Sequence, residues 1–133
     1  MKRRGATIYI QTTIKHRMAT DDNVKFRRSK EWKSFRESLL DQVGNRCQLC
    51  GTRLSGKQKK RLQIHHLDPE NYNDLDPQKF RVLCTTDHKL VEKMATKILG
   101  KNPEDIPFLD RWVSLLGDFL PLDAQIKAEE LLK

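Results

Sequence analysis

Three cysteines and a pair of adjacent histidines carry most of the chemistry this sequence offers. In Cys47-Gln48-Leu49-Cys50-Gly51 two thiols stand three positions apart. At that spacing both thiolates of one tight turn can reach a single zinc ion at about 2.3 Å. Cys84 supplies a third. Tetrahedral zinc wants a fourth ligand, and two candidates follow Cys84. Asp87 repeats the Cys-x2 spacing and offers a carboxylate oxygen, while His88 would make a Cys-x3-His pair. A redox Cys-x-x-Cys pair would need a strand before it and a helix opening on it. Here a helical pattern ends just before Cys47, which favours a structural metal site.

Four histidines occur, and His65, His66 and His88 all fall in the same central stretch. Hydrolysis of a phosphodiester needs a base for water, and imidazole, with an ordinary pKa of about 6.5, suits neutral pH. It also needs a cation to neutralise charge on the phosphate and on the leaving oxygen. One neutral imidazole can help hold such a cation while another takes the proton. Successive strand residues point to opposite faces, so His65 and His66 serve one site only if the chain bends at the doublet. Leu67-Asp68-Pro69 supplies the residues for a bend.

The elements that must position these groups follow from spacing. Thr7 to Ile14 is β-branched and partly alternating, a possible strand, and Lys15 to Arg28 is polar and basic, an arm. Ser29 is a good N-cap with Glu31 in the first turn. Trp32, Phe35, Leu39, Leu40 and Val43 then recur at helical spacing, and Gly44 offers a left-handed stop. Leu62 and Ile64 alternate with polar residues into His65-His66. A polar loop from Glu70 to Lys79 leads to a second strand, Phe80-Arg81-Val82-Leu83. Thr85 or Thr86 can cap a helix carrying Leu90, Val91, Met94 and Ile98, closed by Gly100. Ile106, Leu109, Trp112, Val113 and Leu116 suggest another helix, and a weakly amphipathic segment runs from Pro121 to Lys133.

Charge is unevenly spread along the 133 residues, whose net charge is +8. Residues 1–28 carry +6, residues 29–100 carry +5, and residues 101–133 carry −3. Arg53, Lys57, Lys59, Lys60 and Arg61 lie in one stretch with no acid among them. Such density draws polyanions such as nucleic acid. Hydrophobic residues make up only 37%, so the core is modest and a metal would help hold it. No run approaches 18 apolar residues, and no membrane span is predicted. Met1-Lys2-Arg3-Arg4 is basic like a leader, yet Ala6 to Thr13 is too polar and short for one. The sequence therefore predicts no signal peptide, a cytoplasmic location, and cysteines used as ligands or thiols rather than disulfides.

Over residues 29–99 the sequence resembles the HNH endonucleases of the ββα-metal (His-Me finger) group, most of all the small HNH proteins of phages and prophages. The resemblance lies in Arg28-Ser29-Lys30-Glu31-Trp32-Lys33-Ser34-Phe35-Arg36, Cys47-Gln48-Leu49-Cys50-Gly51, Ile64-His65-His66-Leu67-Asp68-Pro69 and Val82-Leu83-Cys84-Thr85-Thr86-Asp87-His88. It implies an α+β chain: a ββα-metal core with structural zinc, flanked by an N-terminal helix or arm and C-terminal helices, divided into a basic arm with a possible strand over 1–28, the nuclease core over 29–100 and a C-terminal helical extension over 101–133. It implies that His65 and His88 hold a catalytic divalent cation (Mg2+, Mn2+ or another), that His66 is the general base, and that Cys47, Cys50 and Cys84 hold zinc. Asp87 stands where the family has its fourth cysteine, so Asp87 is the expected fourth ligand, leaving His88 free. The middle asparagine of the family name is replaced by Lys79. Asn71 and Asn73 lie nearby as substitutes for orienting the base, and Lys79 could instead touch phosphate.

The function so implied is a metal-dependent DNA endonuclease in a bacterial or phage-infected cell, gripping phosphates with Arg53, Lys57, Lys59, Lys60, Arg61 and Lys79. It would act as a monomer or homodimer, with a phage packaging or restriction protein as a possible partner. The competing expectation is a non-catalytic, zinc-stabilised nucleic-acid-binding module. A protein-interaction scaffold would draw only on the acidic C-terminal section.

Overall fold

The computed structural model describes residues 21–133. The strand expected at Thr7 to Ile14 lies outside them, as does the first part of the basic arm. The rest of that arm is not irregular: Asp21–Arg27 forms a short helix, α1. Its Phe26 ring lies 6.0 Å from Trp32 and 5.7 Å from Tyr72. That aromatic contact supplies the packing that a seven-residue helix cannot obtain from its own hydrogen bonds.

Helix α2, Lys30–Gln42, starts as its sequence dictates. The Ser29 hydroxyl accepts a hydrogen bond from the Trp32 amide at 3.2 Å, and Glu31 occupies the first turn. Trp32, Leu39 and Leu40 are buried along one face. Gly44 and Asn45, both at positive φ (66° and 56°), turn the chain out of the helix. The next residues form a knuckle. Arg46 and Arg53 make an isolated bridge, and the Gly51 amide donates to the Cys47 carbonyl at 2.8 Å.

After a 3-10 turn over Gly56–Arg61 come the two strands β1, Leu62–His66, and β2, Phe80–Cys84. They pair antiparallel, from Leu62 opposite Cys84 to His66 opposite Phe80. Helix α3, Thr85–Ile98, leaves β2 directly. Its N-cap is Cys84 rather than Thr85 or Thr86, and Cys84 makes no side-chain cap bond. The Thr85 hydroxyl instead donates to the Arg61 carbonyl at 3.1 Å, tying the helix start to the entry of β1.

The C-terminal section forms α4, Leu109–Leu116, a 3-10 turn over Gly117–Phe119, and α5, Leu122–Leu131. Leu116, Leu120, Ala124 and Ala128 are fully buried, in the same cluster as Trp32, Leu62, Val82, Val91 and Ile98. One continuous core therefore joins this section to the hairpin and α3. The chain is α+β, with helices on a small two-stranded hairpin. No helix among the described residues is long and apolar enough to cross a membrane.

Candidate functional site

Two clusters of ligating side chains meet on the first two turns of α3. In one, the sulfurs of Cys47, Cys50 and Cys84 and a carboxylate oxygen of Asp87 all lie within 4.8 Å of one another. Cys50 Sγ is 4.0 Å from Cys84 Sγ, and Cys47 Sγ is 3.2 Å from Asp87 Oδ2. Sulfurs at 2.3 Å from a tetrahedral ion stand about 3.8 Å apart, so this set could hold a metal such as zinc. The electrostatics agree. Burial pushes the Cys47 thiol up to about 12, against smaller opposing effects of the backbone amides of Cys50 and Cys84. Burial also raises the Cys84 thiol. Both are neutral thiols at pH 7 unless a cation supplies the charge that makes thiolates favourable. Burial would also raise Asp87, but hydrogen bonds from the three thiols outweigh it and hold the carboxyl below its usual range.

The second cluster is His65, His88 and Glu92, again with one ligating atom of each within 4.8 Å of the others. The His65 and His88 rings are 4.9 Å apart at 67°. Glu92 Oε1 stands 3.8 Å from His65 Nδ1 and 3.9 Å from His88 Nε2. The remaining ring nitrogens are engaged elsewhere. His65 Nε2 is 2.7 Å from the Phe119 carbonyl oxygen, and His88 Nδ1 is 2.5 Å from Gln63 Oε1. His65 is 2% exposed, whereas His88 and Glu92 keep 26% and 29% of their side-chain surface, so the cluster is reached from the α3 side. Burial lowers the pKa of His88, which keeps it neutral and able to ligate.

Helical geometry explains why one element serves both clusters. Asp87 and His88 are consecutive, roughly 100° apart around the axis, so Asp87 turns to the cysteine knuckle and His88 to β1. Glu92 is one turn further, on the His88 side. Glu92 was not among the residues singled out from sequence. Its signal was the i, i+4 spacing from His88, visible once a helix is assigned there.

His66 lies elsewhere. The hairpin register runs unbroken through it, with no bend at the doublet, so its ring points to the face opposite His65. It stacks on Trp32 (5.6 Å, 14°) and meets Phe80 edge-on at 4.9 Å. Its Nε2 is buried with no hydrogen-bond partner. Burial first, then the charges of Arg27 and His88, lower its pKa to about 4, against an opposing effect of Asp68. The substitutes considered for an orienting asparagine do not supply that partner. Asn71 donates to Asp68 Oδ2 at 2.7 Å within its own loop, and Asn73 is exposed. Lys79 pairs with Asp74 at 2.6 Å, a hydrogen bond that raises its pKa.

Among the basic candidates, Lys59 is half-buried and paired with Glu37 at 3.2 Å. Arg53, Lys57, Lys60 and Arg61 are exposed around the 3-10 turn that feeds β1, and none makes an ion pair among the described residues. Comparison with protein-family models, with curated proteins and with solved structures finds no match to this chain.

Proposed function

We propose that the protein is a metal-dependent DNA endonuclease of the HNH kind, with a structural zinc at Cys47, Cys50, Cys84 and Asp87 and a second divalent cation at His65, His88 and Glu92. The observation that carries this reading is the convergence of two imidazole nitrogens on one carboxylate oxygen, at 3.8 and 3.9 Å. With Nε2 of His65 turned to Phe119 O and Nδ1 of His88 turned to Gln63 Oε1, the other two ring nitrogens and the carboxylate face one space, and a shared cation there would draw on all three. Two nitrogens and an oxygen suit manganese, cobalt, nickel or zinc better than magnesium, which prefers an all-oxygen shell. When bound, that cation supplies neutralisation of the charge that builds on the scissile phosphate and leaving oxygen.

The protein's own groups do the rest. Arg53, Lys57, Lys60 and Arg61 hold backbone phosphates beside β1 and draw the duplex in. His66 is neutral at pH 7; because its ring faces away from His65, it takes a proton from water at the cation site only if the end of β1 rearranges when DNA binds. A pKa of about 4 makes it a weak base until the negative charge of a bound phosphate raises it. Cleavage would leave a 5′-phosphate and a 3′-hydroxyl, as the resemblance implies.

One observation favours the alternative, a zinc-stabilised nucleic-acid-binding module: the buried His66 Nε2 has no partner to orient the ring. Conversion of supercoiled plasmid across a series of Mg2+, Mn2+, Co2+, Ni2+ and Zn2+ separates the two. A nuclease nicks the plasmid, and His66→Ala abolishes nicking while DNA binding and bound zinc persist. A salt-sensitive gel shift with no product under any metal would establish the binding module. Wild-type cutting by His66→Ala would remove the base assignment.

A further inference from the structure

We propose that Gln63 and the backbone carbonyl of Phe119 fix opposite tautomers on His88 and His65, making Gln63 and the C-terminal turn positioning parts of the cation site. The inference rests on the reading of His65, His88 and Glu92 as a cation site, and it deepens that reading by naming what aims the ligands.

A carbonyl oxygen only accepts, so at 2.7 Å from Phe119 O the neutral His65 carries its proton on Nε2. That leaves the Nδ1 lone pair, which is the nitrogen nearest Glu92. At His88 the pattern is reversed. Gln63 Oε1 accepts from Nδ1, which leaves Nε2 as the lone pair nearest the same Glu92 oxygen. Without these partners each ring could take either tautomer, and three of the four combinations would point at least one N–H at the place where a ligand is needed. Partners of this kind on metal-binding histidines typically govern affinity by about 10- to 100-fold.

Each partner is itself held. Gln63 sits on β1 two residues before His65, on the same face of the strand. The Phe119 carbonyl ends a 3-10 turn between two anchors. The Leu120 amide donates to Leu116 O at 3.1 Å, and the Leu122 amide donates to Leu67 O at 2.8 Å. Leu120 and Pro121 are fully buried between them. The segment from Phe119 to Leu122 thus runs alongside the exit of β1, joined to it by His65–Phe119 and Leu122–Leu67. The C-terminal section is then more than cover for the core: it sets which nitrogen His65 presents.

The test uses the full chain, loaded with zinc at the cysteine cluster. Long-range 1H–15N spectra at neutral pH read the tautomers directly, and the expected result is Nε2–H for His65 and Nδ1–H for His88. Calorimetric titration with Ni2+ then compares wild type, Gln63→Leu and Gln63→Glu. We expect Gln63→Leu to lose Ni2+ affinity by about tenfold or more and to mix the His88 tautomers, and Gln63→Glu, which keeps the acceptor, to recover both. The reverse tautomer on either ring of the wild type overturns the inference, whatever the variants do. So does a folded Gln63→Leu with unchanged Ni2+ affinity. If wild type binds Ni2+ with these tautomers but cuts no DNA, the nuclease reading fails and this inference stands. A wild type that takes up no Ni2+ removes both.

Discussion

Acid should loosen this fold through His66, and replacing that ring should remove the effect. Its pKa falls from 6.5 to about 4 because the ring is buried against Trp32 and Phe80. Below pH 6.5 the unfolded chain binds a proton there that the folded chain refuses, so acid favours unfolding. The stabilising contribution is complete above pH 6.5, declines as the pH falls below that value, and is gone by about pH 4. At about 1.4 kcal/mol per pH unit, the gap corresponds to roughly 3 kcal/mol. About 2 kcal/mol of this is lost between pH 7 and pH 4.5. His66→Phe keeps an aromatic ring in the stack and has nothing to titrate. Urea unfolding of both proteins at pH 7, 5.5 and 4.5 gives the comparison, and the difference between them cancels acid effects at the cysteine cluster common to both. The expected result is that wild type loses about 2 kcal/mol more than His66→Phe over that interval. A difference near zero, or one of opposite sign, would show that the imidazole is not held neutral by burial.

Substitutions at Asp87, His88 and Trp32 test the ligand assignment and the aromatic packing. Asp87→Ala should weaken zinc retention by more than the roughly 10- to 100-fold that loss of a mere supporting partner costs, whereas His88→Ala should leave it intact. Competition with a chromogenic chelator measures this, and a zinc-loaded Asp87→Ala beside a zinc-free His88→Ala would exchange the two assignments. Trp32, 5% exposed and in contact with Phe26, Phe35, His66 and Phe80, should cost about 3–5 kcal/mol when cut to alanine. Denaturant melting of Trp32→Ala against Trp32→Phe reads that loss, and a cost under about 1 kcal/mol would mean that the ring does not carry the α1–α2–β1 contact.

Most of the scaffold could be read from local pattern. Ser29, the run from Trp32 to Val43 and the stop at Gly44 define α2 by capping and periodicity alone. The alternation of Leu62 and Ile64 gives β1, and the cysteine spacing gives the knuckle. What escaped was decided by partners distant in sequence. Helix α1 exists because Phe26 finds Trp32 and Tyr72, a contact that a basic, polar composition does not advertise. Thr85 is a good cap by type, yet its hydroxyl is drawn to Arg61, so the chain caps with Cys84. The facing of His66 was visible in the strand period, but the bend expected from Leu67-Asp68-Pro69 comes only after the doublet. Phe119 acts through its carbonyl, 54 positions from His65, and no side-chain pattern marks a backbone acceptor.

Because Asp87 and His88 are neighbours on a single helical turn, neither cluster can be adjusted alone. An ion that draws Asp87 toward the knuckle also fixes the azimuth of His88, and by thermodynamic necessity an ion on His88 must repay the same free energy at Asp87. If both clusters bind ions, the two loadings are therefore coupled, and the thiolate cluster, with the softer donors, would be the one to fill first with zinc.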